Sequence, residues 1–208
     1  MKKEKIDYEI LVVDDKSKDG TIEIVKKISS LDKRVKIIVR DSSPGFGSSL
    51  VDGSKKASGD IIIWTMADLS DDLNSIPKMI RKIEEGKDMV IASRNVSGGS
   101  RGDQNKLKAI GSTLFSRIAR ILFNLPVYDI TNAFRAFRPE LINQIKLENN
   151  NFAISPEFAI KAHLAGYKLA EVPTTYSERK IGEAKTKLFK MGLFYYKMLF
   201  RYWLKSLI

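Results

Sequence analysis

Short apolar runs that alternate with segments of helical spacing constrain this chain more than any other feature. The runs cover residues 8–15, 35–40, 61–66 and 88–93. They are apolar almost throughout rather than at every second residue, which is typical of a parallel sheet covered by helices on both faces. The pattern predicts an α/β fold with a mostly parallel open sheet and right-handed crossovers.

Length and residue content narrow the kinds of site that this fold can carry. The 208 residues are 43% hydrophobic, enough for one sizeable core, and the chain has no cysteine and one histidine, His163. Disulfides, thiolate zinc sites and histidine metal centres are therefore excluded, and any metal must be a hard cation bound by oxygens. With neither a signal-peptide pattern nor an apolar run of about 20 residues, we expect a cytoplasmic location.

Positive charge is concentrated at the end of the chain. The net charge is +11, and residues 176–208 hold eight basic residues against two acidic ones. A basic surface suits nucleic acid, an anionic membrane or a phosphorylated substrate, or it is plain solvated charge. Because the basic residues lie beside acidic loops and on an amphipathic tail, not among aromatics on a groove, we expect no nucleic-acid partner.

The tail, residues 186–208, interleaves cations with large aromatic side chains at helical spacing. Such a helix suits a membrane surface, with cations at anionic headgroups and aromatics in the boundary layer. The alternative is a C-terminal helix docked on the sheet or on a partner subunit. The sequence thus predicts a domain over residues 1–185 and a membrane-interface tail over residues 186–208.

Acidic side chains follow two of the apolar runs. Asp14 and Asp15 end the first run, and Asp68 follows the third. Ligands of an open parallel sheet bind beyond the carboxyl ends of its strands, so we expect both clusters at one sheet edge. With Arg94 and Arg101 following the next run, the arrangement suits a metal-bridged diphosphate. The alternative is that these aspartates form turns and helix caps.

Two nucleotide-binding motifs can be set aside. In "GFGSSL", Leu50 stands where the third glycine of a dinucleotide-binding motif belongs, so a tight turn and helix start are the better interpretation. No P-loop motif occurs.

Five motifs in order resemble those of family 2 glycosyltransferases with the GT-A fold, in particular the dolichyl- and polyprenyl-phosphate sugar transferases. They are "VVDDKSKDGT", "ASGDIIIWTMADLSDD", "IASRNVSGG", "DITNAFRAFR" and "GYKLAEVPTTYSERKIGEAK". The resemblance covers about residues 8–187. It implies a hexosyltransferase that takes a nucleotide sugar and a polyprenyl or dolichyl phosphate at the cytoplasmic membrane face, with a membrane partner protein or a homo-oligomer as possible assemblies.

The resemblance also implies roles for individual residues. Asp14 and Asp15 match the loop that cradles the nucleoside, and Asp68 matches the ligand of the metal and donor diphosphate, with Ser70 and Asp71 as helpers. The matches to the acceptor-phosphate positions are Arg94, Lys108 and Ser112, and those to the basic loop over the donor phosphates are Arg179 and Lys185.

Two departures from the family pattern qualify these roles. The chain lacks the usual first strand of the family, and Met66 stands where the first acid of an Asp-x-Asp pair belongs. One carboxylate binds a cation less tightly than two, so we expect a weakened site for Mg²⁺ or Mn²⁺. A non-catalytic or truncated GT-A-like partner subunit at the membrane remains the alternative function.

The expected acceptor simplifies the chemistry. A phosphate monoester has its second pKa at about 6, so it arrives as an anion and needs orientation and charge shielding but no general base. Glu157 is the reserve base for an alcohol acceptor.

Overall fold

Helices and strands alternate along the chain. The computed structural model describes residues 6–178 and 188–206. The strands are β1 (Ile10–Asp14), β2 (Val35–Val39), β3 (Ile62–Trp64), β4 (Met89–Ser93), β5 (Arg135–Phe137) and β6 (Leu169–Pro173). The helices are α1 (Thr21–Leu31), α2 (Phe46–Lys56), α3 (Ile76–Glu84), α4 (Lys106–Phe123), α5 (Glu140–Gln144), α6 (Ile154–Leu164) and α7 (Leu188–Ser206), with a 3₁₀ turn at Leu73–Ser75.

The strands form two sheets. β1 pairs with β2 in parallel, and the other four strands follow the order β3, β5, β4, β6. β4 and β6 are parallel, from Met89 opposite Leu169 to Ser93 opposite Pro173, whereas β5 is antiparallel to both of its neighbours. The predicted α/β fold is confirmed, and the runs at residues 8–15, 35–40, 61–66 and 88–93 all contain strands.

Helix α2 covers the boundary between the sheets. Gly53 lies against β1, where a Cβ would come 2.7 Å from Val13, and the next residue, Ser54, accepts a 2.7 Å hydrogen bond from Trp64 of β3. Among the described strands, no ladder joins β1 to β3. The sequence pattern of one open sheet does not predict this division.

Strand β4 lies at the centre of the core, and both of its faces are buried. Met89 and Ile91 belong to one apolar cluster, with residues of α4, α6 and α7. Val90 and Ala92 belong to the other, with Met79 and Ile83 of α3. Burial on both faces explains why the run carries no polar alternation.

Helix α7 packs one face on the domain and exposes another. Tyr195, Met198, Leu199 and Tyr202 are buried in the core, and the Tyr195 ring lies 4.9 Å from that of Phe115 on α4. Leu193, Phe194, Tyr196, Phe200 and Leu204 are exposed. The docked helix, which the sequence offers as one alternative, therefore describes the buried face of α7, and contact of the exposed face with a membrane stays a prediction. Among the described helices, none is long and apolar enough to cross a membrane.

Candidate functional site

The acidic loop after β3 is closed by its own carboxylates. Asp71 Oδ2 accepts hydrogen bonds from the Met66 backbone N–H at 2.8 Å and from the Thr65 hydroxyl at 3.1 Å. Asp68 Oδ1 accepts one from the Ser70 N–H at 3.1 Å, and Leu69 between them is left-handed, with φ 60°. These bonds fold residues 65–71 into a compact turn that holds Asp68 and Asp71 on one loop.

The charges on this loop repel each other. Burial raises the pKa of Asp71, and the negative charge of Asp68 raises it further, against hydrogen bonds from Met66 and Thr65 and the positive charge of Arg94. Within residues 6–178 and 188–206, no three acidic or histidine side chains gather as a metal-binding group. Two mutually repelling carboxylates still suit a cation, because it would relieve the repulsion.

The stretch that follows β6 joins the acidic loop to the long loop after β4. Asp71 and Tyr176 form an antiparallel bridge, and the Ser177 N–H donates to the Ser70 carbonyl at 3.1 Å. On its other side, the Tyr176 N–H donates to the Ser100 carbonyl at 3.0 Å. Residues 174–178 therefore connect the acidic loop with the basic residues that follow β4.

Arg94 follows β4 and is paired inside the protein. Its Nε and Nη2 donate to the two oxygens of Asp129 at 2.7 and 2.8 Å, and Nη2 also donates to the Thr131 hydroxyl at 3.1 Å. Burial alone would lower the pKa of Arg94, but the charge of Asp129 and its hydrogen bonds raise it. Asp129 is fully buried, so the bidentate pair fixes Arg94 at the end of β4.

Arg101, Lys108 and Ser112 form a second basic group beside this pair. Arg101 Nη1 donates to the Ser112 hydroxyl at 2.9 Å. Lys108, one turn earlier on α4, lies 3.9 Å from a carboxylate oxygen of Glu178. Of the residues matched to acceptor-phosphate positions, Ser112 is thus bonded to Arg101 and Lys108 lies on the same helix, while Arg94 is near enough for its charge to lower the pKa of Arg101. Their shared role stays a prediction.

Asp14 and Asp15 belong to a different set of contacts at the end of β1. Asp14 accepts a 2.7 Å hydrogen bond from the Ser17 N–H, while Asp15 is bound by Arg40, by the Gly45 N–H at 2.8 Å and by the Ser49 hydroxyl at 3.1 Å. Burial by itself raises the pKa of Asp15, but these bonds outweigh it and leave the pKa below its ordinary value. Asp15 therefore fixes the loop after β1 to the start of α2.

Helix α2 begins at Phe46, inside the glycine-rich segment, as the turn interpretation predicts. Gly47 is needed there because a Cβ would come 2.3 Å from the Asn149 carbonyl oxygen. The glycines of "GFG" thus let α2 approach residues 149–150.

Two further predictions concern Glu157 and the pair Arg179 and Lys185. Arg179 and Lys185 lie outside the described residues. Glu157 is fully buried, and Lys161, Asn149 and Tyr202 all donate to its oxygens. A carboxylate enclosed in this way ties α6 to α7 and does not suit the role of a general base.

Sequence reasoning missed Asp129 and Arg40. Asp129 pairs with Arg94 over 35 residues, and Arg40, buried at the end of β2, links Asp15 to Asp52. The one signal for each was a charged residue at the edge of an apolar segment.

Comparisons with known proteins agree on one family. A family model described as "Glycosyl transferase family 2" matches residues 2–146. The chain is 37% identical over 189 residues to a dolichol-phosphate mannosyltransferase of Pyrococcus furiosus, covering 88% of this chain and 51% of that protein. It is 28% identical over 183 residues to an undecaprenyl-phosphate mannosyltransferase of Micrococcus luteus, covering 85% of this chain and 75% of that protein. The chain thus spans about half the length of the archaeal relative.

Solved structures agree on the fold. Glucosyl-3-phosphoglycerate synthase of Mycobacterium tuberculosis in complex with phosphoglyceric acid superposes with a TM-score of 0.64 at 15% identity, over 90% of this chain and 65% of that one. The complex of that enzyme with Mn²⁺, uridine diphosphate and glucosyl-3-phosphoglycerate gives 0.62 at 14% identity, over 90% and 65%. At these identities the likeness concerns the fold, which is of the GT-A type.

Proposed function

The chain belongs to glycosyl transferase family 2, and from this premise we propose that it moves one sugar from a nucleotide-sugar donor to a polyprenyl or dolichyl phosphate. The proposal rests chiefly on the contacts of residues 174–178. These residues hydrogen-bond to both the acidic loop and the loop after β4. A donor diphosphate at Asp68 and an acceptor phosphate near Arg94 would then lie on neighbouring loops. The relatives named for dolichol phosphate and undecaprenyl phosphate support this acceptor class.

On this proposal the acidic loop handles the donor. Asp68 would hold Mg²⁺ or Mn²⁺ with help from Ser70 and Asp71, and such a cation supplies charge neutralisation for the diphosphate. Glucosyl-3-phosphoglycerate synthase, which shares this fold, was crystallised with Mn²⁺ and uridine diphosphate. That complex supports a divalent cation at the donor diphosphate. Asp14 and Asp15 would position the nucleoside, and Arg179 with Lys185 would shield the leaving diphosphate.

The acceptor reacts without a general base. A non-bridging phosphate oxygen attacks the anomeric carbon as the bond from that carbon to the donor diphosphate breaks, and the electron pair leaves with the nucleoside diphosphate. No proton needs to be removed from the nucleophile, so orientation and charge shielding by Arg94, Lys108 and Ser112 suffice. In-line displacement would invert the anomeric centre.

The exposed faces of α4 and α7 suit a membrane-bound acceptor. Leu107, Ile110, Leu114 and Ile121 are exposed along α4, which packs against α7 and its exposed aromatics. Arg117 and Lys197 are exposed on the same two helices. Apolar side chains interspersed with cations are typical of helices that lie in the lipid interface, which supports a peripheral position at a membrane. On this proposal the membrane face is the cytoplasmic one.

The acceptor class is tested by comparing two lipids that differ in one group. Purified protein with Mn²⁺ is incubated with radiolabelled nucleotide sugars and either polyprenyl phosphate or the matching polyprenol. Nucleotide-linked mannose is tried first because the relatives are named for mannosyl transfer. We expect labelled lipid with polyprenyl phosphate and none with polyprenol. Equal labelling of the alcohol would contradict the proposal.

The non-catalytic alternative predicts a different result. A partner subunit would show no saturable binding of any nucleotide sugar in calorimetry with Mn²⁺. Binding of one donor, followed by transfer, excludes it.

A further inference from the structure

Arg101 is a cation that hydrogen-bonds to neutral groups. Its Nε and Nη2 donate to the Asn95 side-chain oxygen at 3.1 and 3.0 Å, and Nη1 donates to Gln104 at 2.7 Å and to the Ser112 hydroxyl at 2.9 Å. Across the described part of the chain, no carboxylate forms a salt bridge with it within 4.0 Å. A partly buried charge usually has an anionic partner, because desolvation is otherwise uncompensated.

The loop that carries Arg101 is held firmly in place. The Ser100 N–H donates to the Thr174 carbonyl at 2.9 Å, and the Tyr176 N–H donates back to the Ser100 carbonyl at 3.0 Å. Gly102 has φ 50°, and a Cβ there would lie 2.1 Å from the Tyr176 carbonyl oxygen. The backbone of residues 100–102 thus lies directly on the stretch after β6, which fixes the start of the Arg101 side chain.

The neighbouring cations are already partnered. Arg94 is engaged by both oxygens of Asp129, and Lys108 lies 3.9 Å from Glu178. Burial lowers the pKa of Arg101 and the positive charge of Arg94 lowers it further, and the negative charge of Asp129 offsets only part of this. An anion beside Arg101 would therefore relieve both desolvation and repulsion, whereas at Arg94 it would compete with Asp129.

We propose that Arg101 is a further ligand of the acceptor's phosphate, beside Arg94, and that it positions Ser112 next to that phosphate. This inference rests on the proposed function. A guanidinium can bind two phosphate oxygens at once, and its present contacts to Asn95 and Gln104 are neutral hydrogen bonds that a phosphate can replace. Ser112, already bonded to Arg101, is then placed to donate its hydroxyl to the same phosphate.

Two substitutions of Arg101 test the proposal in steady-state kinetics. For Arg101→Gln we expect the KM for polyprenyl phosphate to rise about tenfold or more, because a charge-assisted bidentate contact is lost. Arg101→Lys keeps the positive charge but loses the paired donors of the guanidinium, so we expect a smaller rise in the KM for polyprenyl phosphate. The KM for the nucleotide sugar should stay unchanged in both. The control is Arg81→Gln, an exposed arginine on α3.

The outcomes separate this inference from the proposed function. An active Arg101 variant with an unchanged acceptor KM would overturn it, as would an equal rise in both KM values, which indicates a purely structural role. Arg101→Lys decides the question if Arg101→Gln does not fold.

Calorimetry decides the case in which the wild-type chain transfers no sugar and the proposed function fails. The probe is geranyl phosphate, with geraniol as its neutral match. Binding of geranyl phosphate by wild type and its weakening about tenfold or more in Arg101→Gln support the inference. Equal binding by both proteins, or no binding by wild type, contradicts it.

Discussion

Each buried charged side chain in this protein has its own set of hydrogen-bond partners. Asp129 accepts hydrogen bonds from the Arg94 side chain and backbone and from Thr131, and Glu157 accepts them from Lys161, Asn149 and Tyr202. Arg135, fully buried, donates instead to carbonyl oxygens, at 2.8 Å for Ser155. Burial lowers the pKa of Arg135 to about 9. Asp129 and Glu157 are satisfied in this way, whereas the Nε of Arg135 has no hydrogen-bond partner among the described residues. Losing the partner of a buried charge is costly.

Replacing Asp129 tests the pairing of Arg94. Asp129→Asn leaves the Arg94 guanidinium in the interior without its carboxylate, so we expect a loss of about 3–5 kcal/mol in the free energy of unfolding. Urea denaturation measures it, with the exposed Asp60→Asn as the control. A loss no larger than that of the control would show that the pair does not hold the loop.

The placement of single residues was predictable only where the sequence itself carries the motif. Asp68 and Asp71 follow an apolar run directly, and the structure does place them on one loop. The partners of Arg94 and Asp15 lie 35 and 25 residues away along the chain. Such pairs depend on how strands are arranged in space, which local pattern does not encode.

At the level of elements, apolar runs predicted the strands β1 to β4 but not β5. Residues 135–137 form a strand of three residues that starts with the buried Arg135, so no apolar run marks it. Its antiparallel pairing with β3 and β4 is not marked in the local sequence either. The division between β1 and β3 is likewise a matter of pairing rather than of local sequence.

Tyr202 ties helix α7 to the domain through a buried hydrogen bond that a single substitution removes. Tyr202 donates to Glu157 at 2.7 Å, and hydrogen bonds to charged groups contribute about 1.5–3 kcal/mol. We expect Tyr202→Phe to lose that much stability in urea denaturation, while the exposed Tyr196→Phe loses little. Equal losses would mean that the bond does not anchor α7.

The start of β1 is fastened by Glu9. Its carboxylate accepts hydrogen bonds from Lys36 of β2 at 2.8 Å and from the Ser58 N–H at 2.7 Å, beyond the end of α2. The Lys36 hydrogen bond, followed by those of Ser58, lowers the pKa of Glu9 from 4.5 to about 2. A carboxylate whose pKa is lowered by folding stabilises the folded state at pH values above its pKa in the unfolded chain. This stabilisation is lost as the pH falls through the pKa of the folded state.

The stability of Glu9→Gln relative to wild type should therefore depend on pH. We expect wild type to be the more stable protein at pH 5 and the difference to shrink as pH falls from 4.5 towards about 2. Unfolding curves at a series of pH values measure this. A difference that stays constant over the range would show that the Glu9 contacts are not electrostatic.

At the scale of the whole molecule, we expect the exposed faces of α4 and α7 to bind the protein to a lipid surface. Burying one phenylalanine contributes about 1.5–3 kcal/mol, so Phe200→Glu should weaken binding to anionic vesicles by tenfold or more. The matched control is Leu31→Glu, on the exposed end of α1. Vesicle sedimentation compares the two. Equal binding by both variants would exclude the α7 face as the contact.

The central claim is that the acidic loop after β3 carries the donor chemistry. The direct measurement is sugar transfer to polyprenyl phosphate by Asp68→Asn, beside the neighbouring Asp72→Asn, whose amide can still cap the turn at residues 73–75. We predict that Asp68→Asn loses about 100-fold or more in rate, because the diphosphate loses its main charge partner, while Asp72→Asn stays close to wild type. Full transfer by Asp68→Asn would contradict the account.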